Sequence, residues 1–389
     1  MKQFLAIVCF FLIGVSHQAQ EHVVPVLSGD AEISLLTCSP GEETYSLFGH
    51  SAMRVHDPIL DIDAVFNYGT FSFDENFYFN FTMGKLNYKL GLSAMQRFTR
   101  AYEQDGRGII EQKLNLDSAQ TQAVFEFLDW NYKPANRYYL YDFFNDNCSS
   151  ILRDVMDTAL NGQVTFADLS KPSQPSYRNM IDSYLIYDPW GDFGIDLGLG
   201  LPCDRSPDYM EYMFLPDELS AAFDHATING QPLVTEKSVL IEPVGLTYEW
   251  SWTYPIPLFW FLFGIVAVIS AVGFRKRRAL IGIDVVLFSI IGLVGALLFF
   301  LWFITDHTAT ANNLNMLWAW PTHLLVLPFL WNKRVRSMYF MVYGSVLVLT
   351  LVLFPFLPQM LHLATIPIMA TLLCRSLLHW TLEKKAIEV

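Results

Sequence analysis

The chain of 389 residues is 52% hydrophobic and 16% charged, well under the ~25% charged residues of soluble domains. That excludes disorder, collagen and a coiled coil, and argues against a wholly soluble protein. The net charge of −13 argues against nucleic acid as a partner, because phosphate binding needs a basic face. The charge is divided. From Pro255 onward ten Lys/Arg stand against four Asp/Glu, which leaves 15 basic and 34 acidic residues before it.

Lys2 precedes an apolar run, Phe4–Val15, that turns polar at Ser16, so residues 1–19 read as a secretory signal. The run is too short to span a bilayer comfortably, which takes about 20 residues. Residues 20–254 are then expected outside the cytoplasm.

Within that domain Ala31–Cys38, Gly49–His56 and Asp63–Tyr68 read as strands, the last two joined by a turn at Asp57–Asp61. Gly84–Gly91 and Gly108–Leu114 are further strand candidates. Ser118–Asn131 reads as a helix started by Asp117 or Ser118, with Phe125, Leu128 and Trp130 on its buried side. An aromatic stretch, Tyr138–Phe144, leads to Asp146-Asn147-Cys148-Ser149-Ser150 and an amphipathic run, Ile151–Leu160. Lys171–Gly245 is rich in Pro and Gly and shows no clear element.

Residues 255–389 carry five apolar stretches: Pro255–Phe274, Leu280–Phe303, Met316–Trp331, Met338–Phe356 and Pro358–Trp380. Basic clusters follow the first, third and fifth. Positive charge stays cytoplasmic, so five spans would run from an outside N-terminal domain to an inside C-terminus. The third stretch is short and holds Pro321 and Pro328, so a tilted, kinked or re-entrant path is open to it.

Of five cysteines, Cys9 lies in the signal and Cys374 in a span, leaving Cys38, Cys148 and Cys203 outside. One bland arrangement is a Cys38–Cys203 disulfide with a buried bystander. Cys148, preceded by polar residues and opening a helix, suits a nucleophile as well as a structural thiol, because a helix N-terminus favours thiolate and offers N–H groups to an oxyanion. His50, beginning a strand after Gly49, is the candidate base, and Asn67 on the next strand the candidate orienting group, with Asp61 and Asp63 as alternatives. The histidines are too scattered for a metal cluster, and neither metal nor cofactor is expected.

A His early on a strand, a polar residue on the next and a later Asn-Cys opening a helix resemble the circularly permuted NlpC/P60-like, papain-like thiol hydrolases, a group that includes lecithin:retinol acyltransferase. More closely, LLTCSPGEETYSLFGHSAMRV, VFNYGTF and FNDNCSSILRD are similar to the periplasmic domain of the Lnb lipoprotein N-acyltransferases of Bacteroides. The back half, including ITDHTATANNLNMLWAWP between two spans, is similar to the membrane domain of that family. The resemblance implies an α+β papain-like (permuted NlpC/P60-like) periplasmic domain and an all-α five-helix transmembrane domain in a bacterial inner membrane. It implies Cys148 as nucleophile and His50 as base; Asn67 as third member is inferred from strand pairing. Substrate contacts are expected from Asn147 and Ser149 beside the thiol and from His307 and Asn313 in the outer loop between spans two and three. The expected activity moves an acyl chain from a membrane phospholipid through a Cys148 thioester to the α-amino group of the N-terminal, lipid-modified cysteine of diacylated lipoproteins. A membrane-anchored peptidoglycan amidase or peptidase using the same dyad, and a non-enzymatic envelope protein, are the alternatives.

Overall fold

A computed structural model describes residues 24–71, 75–169 and 174–387. The signal segment 1–19 lies outside the described residues. Glu32–Cys38 (β1) pairs antiparallel with His50–Asp57 (β2), and β2 with Ile62–Thr70 (β3). The short helix Phe77–Thr82 (α1) precedes Asn87–Ala94 (β4), Met95–Gln104 (α2) and Ile109–Leu114 (β5). Ser118–Tyr132 (α3) starts on a capping box in which Asp117 accepts from Gln120 N–H. Tyr138–Leu140 (β6) and Ser150–Ala159 (α4) follow.

The stretch without a clear sequence pattern is ordered. A small sheet of Val164–Thr165 (β7), Thr227–Ile228 (β8) and Gln231–Pro232 (β9) closes one side. Tyr177–Leu185 (α5), Pro189–Gly198 (α6) and Pro216–His225 (α7) lie between, and Val234–Ile241 (β10) completes the main sheet. That sheet has seven strands in the order β10-β5-β1-β2-β3-β4-β6. Its apolar face, with Leu35, Met53, Val55 and Phe66, packs on α3, α4 and α7 through Val124, Leu128, Leu152, Val155 and Phe223. The arrangement is α+β, with the sheet's centre fully covered.

The helical region holds Pro255–Arg275 (α8), Ile281–Phe303 (α9), Thr322–Val326 (α10), Lys333–Leu353 (α11) and Thr365–Ile387 (α12). Three helices among the described residues are long and apolar enough to cross a membrane: α8, α9 and Lys333–Phe356, which is α11 with one further turn. The stretch expected as a third span is not a continuous helix. Around Pro321 and Pro328 it breaks into short turns, Leu314–Leu317, α10 and Leu327–Phe329. Proline removes an N–H and clashes with the preceding turn, so the break is where the sequence puts it. Such backbone is tolerated at membrane depth only when protein shields it. Here Trp318, Ala319 and His323 are buried against α9 and α11, and the Tyr343 hydroxyl donates to Trp318 O at 2.6 Å.

Gly295 on α9 makes that approach possible. A Cβ there would stand 2.4 Å from Ala319 O and 2.6 Å from Pro321 N. Gly295→Val is expected to cost about 1–3 kcal/mol or more by overpacking. Gly264→Val on α8, where nothing lies within 4 Å of a Cβ, serves as the neutral control. Thermal unfolding of the full chain in detergent reads the difference.

Arg375 ties the helices together. Its guanidinium donates to Asp284 on α9 at 2.6 Å and to Ser270 on α8 at 3.0 Å, and Asp284 also meets His379 at 2.7 Å. Every charge in this group is buried and paired, as an apolar medium requires.

The two regions meet along one end of the helices. Gly200 N–H donates to Ala309 O, Asn313 Nδ2 to Leu197 O at 2.8 Å, Gln359 Nε2 to Leu199 O at 2.9 Å and Trp190 Nε1 to Thr253 O. The Arg275–Arg278 cluster lies at the opposite end of α8.

Candidate active site

The β2–β3 ladder ends at Met53↔Phe66. Beyond that pair the first residues of β2 and the last of β3 splay apart, and a bulge between Asn67 and Thr70 bends β3 away. Gly69 sits in this bulge at φ +91°, which a side chain would strain, and a Cβ there would lie 3.7 Å from His50 Cε1 and 3.8 Å from Cys148 Cβ. The bulge thus leaves room for imidazole and thiol side by side.

Cys148 does not begin the helix itself. It lies two residues ahead of α4, in a turn held by Asn147. Asn147 Oδ1 accepts from the N–H of Ser149 at 2.7 Å and of Ser150 at 2.9 Å, and its Nδ2 donates to Phe143 O and Phe214 O, both at 2.7 Å. Ser149 Oγ bonds Ser51 Oγ at 2.9 Å with both side chains buried, which pins the helix start to β2.

His50 Nε2 stands 2.6 Å from Asn67 Oδ1. The amide oxygen can only accept, so Nε2 carries the proton and Nδ1 is left for the thiol. Burial by itself would raise the Cys148 thiol pKa. The charge of His50 and hydrogen bonds from His50, the Ser51 N–H and Ser149 outweigh burial and lower it. Burial would likewise depress His50, but the neighbouring thiolate and the bonds to Cys148 and Asn67 raise it above the usual histidine value. The pair is poised to exist as thiolate and imidazolium.

Cys38 and Cys203 are free thiols, not a disulfide. Cys38 ends β1 opposite His50, and Cys203 packs against the membrane-side loop, 3.6 Å from Ala309 O. Burial pushes each up to about 12, so neither competes as a nucleophile. With iodoacetamide at pH 6.5, Cys148 is expected to alkylate at least about tenfold faster than Cys38 or Cys203. His50→Ala should move its alkylation midpoint upward, toward the free-thiol value near 8.5. Peptide mass mapping across pH reads both.

A cavity of about 760 Å³ opens onto the thiol and contains His50 and Asn67 in its wall. Aromatic rings make up much of the rest: Phe48, Phe71, Tyr88, Tyr141, Phe143 and Phe214. The structure therefore brings Cys148, His50 and Asn67 together. Of the other expected contacts, Asn147 also lines the cavity, while Ser149, His307 and Asn313 do not. The Asn147 amide is spent on the scaffold, as above. Ser149 is fully buried, and its N–H already serves Asn147, which removes it as an oxyanion donor. Among the described residues the Cys148 N–H has no acceptor, so it is the donor left for that task. His307 docks α1, its Nε2 donating to Phe81 O at 3.1 Å, and Asn313 is a buried strut to α6; neither lines the cavity.

The aromatic wall was visible in sequence only as the dense stretch Tyr138–Phe144. Tyr102 and Arg107, which also line the cavity, gave no sequence signal. Asp182, Asp192 and Asp196 bring carboxylate oxygens within 4.8 Å of one another, but away from this cavity, and Asp196 is paired with Arg178.

Residues 27–183 match the family model described as the Lnb N-terminal periplasmic domain, and residues 247–386 the Lnb transmembrane domain. The chain belongs to the Lnb family. No curated protein and no solved structure matches it. Its Lnb-type architecture makes it a membrane protein with a periplasmic N-terminal domain. Cys148, His50 and Asn67 all fall inside the first match, and the α6–α7–β10 part of the domain lies between the two.

Proposed function

We propose that this Lnb-family chain is a cysteine-dependent N-acyltransferase, carrying a fatty acyl chain from a membrane phospholipid to the α-amino group of the N-terminal lipid-modified cysteine of a lipoprotein. The observation that carries this is the hydrogen-bonded Cys148–His50–Asn67 array on a large aromatic cavity, in one chain with helices apolar enough to cross a bilayer.

The Cys148 thiolate attacks the carbonyl carbon of a phospholipid ester. The C–S bond forms, the ester C–O bond breaks, and the His50 imidazolium gives its proton to the departing glycerol oxygen. The Cys148 N–H faces the developing oxyanion. A lysophospholipid leaves and the acyl chain stays as a thioester. The acceptor α-amine, with a pKa near 8, is partly neutral at pH 7. It attacks the thioester, neutral His50 takes its proton, and thiolate departs as the amide forms. Asn67 holds the imidazole in the tautomer that serves both steps.

Membrane embedding suits this chemistry, since both substrates keep acyl chains in the bilayer. A soluble enzyme would move each chain into water at about 0.8 kcal/mol per CH₂. The helical region is read as five crossings of an inner membrane. In this reading α8, α9, the broken 314–332 segment, α11 and α12 alternate between the end touching the periplasmic domain and the end bearing Arg275–Arg278.

The test is intact mass of the full-length protein after incubation with phosphatidylethanolamine. A fatty-acyl adduct is expected that neutral hydroxylamine removes and that a synthetic diacylated lipopeptide discharges with gain of one acyl group on its amine. An adduct discharged only by water, or peptidoglycan fragments released without any lipid dependence, would overturn the assignment.

A further inference from the structure

Arg107 follows α2 at the foot of β5 and lines the same cavity as Cys148. Its side chain is nine-tenths buried. Nε donates to Ser39 O at 2.9 Å, and the guanidinium lies over the Tyr102 ring, 4.7 Å from its centroid. Nη2 is buried and has no hydrogen-bond partner, and no carboxylate pairs with Arg107 among the described residues. Arg178 and Arg375, also buried, each meet carboxylates instead.

A ring face can stabilise the plane of a guanidinium, but it gives its N–H edges nothing to bond. A buried cation with an idle N–H is costly unless an anion arrives to meet it. The planar fork of arginine matches the oxygens of a phosphate, in one- or two-point contact. Glu43, at the exposed rim, is the one acidic side chain among the described residues that line the cavity. A cation inside and an anion at the mouth fit a zwitterionic headgroup with its phosphate inward and its ammonium outward.

We infer that Arg107 is a phosphate clamp, holding the phosphodiester of the donor phospholipid so that its ester carbonyl lies at Cys148. The inference builds on the phospholipid-donor function proposed above. Its role is positioning: the guanidinium touches the donor's phosphate and takes no part in bond exchange.

The test separates binding from chemistry. Full-length Cys148→Ala protein in detergent is titrated with a dialkyl-ether phosphatidylethanolamine, which has no ester to cleave, and with the matching dialkyl glycerol, which has no phosphate. The expected result is at least about tenfold tighter binding of the phospholipid, reduced to near parity by Arg107→Met and partly kept by Arg107→Lys. Inorganic phosphate should compete only weakly. Arg107→Met should still bind the dialkyl glycerol, which shows that the cavity is still folded.

Equal binding of the two ether lipids, or a phosphate preference that survives Arg107→Met, would overturn the clamp. So would displacement of the lipid by low-millimolar inorganic phosphate, which would mark a free-anion site. Because the ether lipid cannot acylate, these outcomes are independent of whether the thioester forms. A clamp without an adduct would refute acyl transfer alone, and an adduct without the preference would refute the clamp alone.

Discussion

Cys148→Ala is expected to abolish the hydroxylamine-sensitive adduct and to lower acyl transfer by at least about 10³-fold, because no other thiol near the cavity can substitute. Cys38 ends the neighbouring strand, yet burial pushes its pKa up to about 12. His50→Ala should cost about 10²–10⁴-fold, the usual worth of a positioned general base. Asn67→Ala removes one hydrogen bond to a ring that packing already orients, so roughly tenfold is expected. The three losses should not add: in Cys148→Ala background the other two substitutions should change nothing further. Single-turnover acylation followed by mass spectrometry measures each. Additive losses would mean that the three residues do not act as one unit.

The second large effect is on stability. Arg178 is fully buried on α5, donating to Asp196 at 2.7 Å, to both oxygens of Asp204 at 3.0 Å, and to the carbonyls of Leu199 and Gly200. Those partners are also the docking surface. Gly200 N–H bonds Ala309 O, Gln359 reaches Leu199 O, and Met360 N–H donates to Asp204 at 2.8 Å. Arg178→Met leaves two buried carboxylates uncompensated, and a loss of about 3–5 kcal/mol is expected. The full chain should accumulate poorly in membranes, and what survives should unfold at a clearly lower temperature. Adding Asp196→Asn and Asp204→Asn to Arg178→Met should recover part of the loss, because it removes the stranded charges. A triple variant no better than the single one would show that the bridging geometry, not the charge, carries the stability.

These two regions were not equally legible in the sequence. β1, β2 and β3 follow from short runs bounded by turns, and α3 from its cap and from Phe125 and Leu128, because those signals are local; Trp130, expected on the buried side, is exposed. Cys148, His50 and Asn67 were found from strand position, helix start and motif resemblance. The α5–α6 segment was not readable. Its order comes from Arg178 and from bonds to residues more than a hundred positions away, such as Asn313 and Gln359, which no local pattern encodes. Arg107 was silent for a similar reason: an arginine between two glycines looks like a solvated turn until the cavity is seen around it. Asn147 and Ser149 carried the motif, but their hydrogen bonds in the turn that presents the thiol could not be read from it. The third apolar stretch showed its prolines plainly, and the break they cause was foreseeable. How the broken backbone is sheltered was not, because that depends on Gly295 across the bundle.

The splay between β2 and β3 has a consequence for how the protein can be watched. The Ser51 amide has no partner on β3, and its N–H is among the groups that favour the Cys148 thiolate. A thiolate is a good acceptor, while an acylated or alkylated sulfur is neutral and a poor one. Deuterium uptake at this single amide therefore gauges the occupancy of Cys148: slow while the thiolate is bare, quicker once the sulfur is capped, and slow again on discharge. The sheet carries its own isotopic reporter, with no label introduced into the cavity.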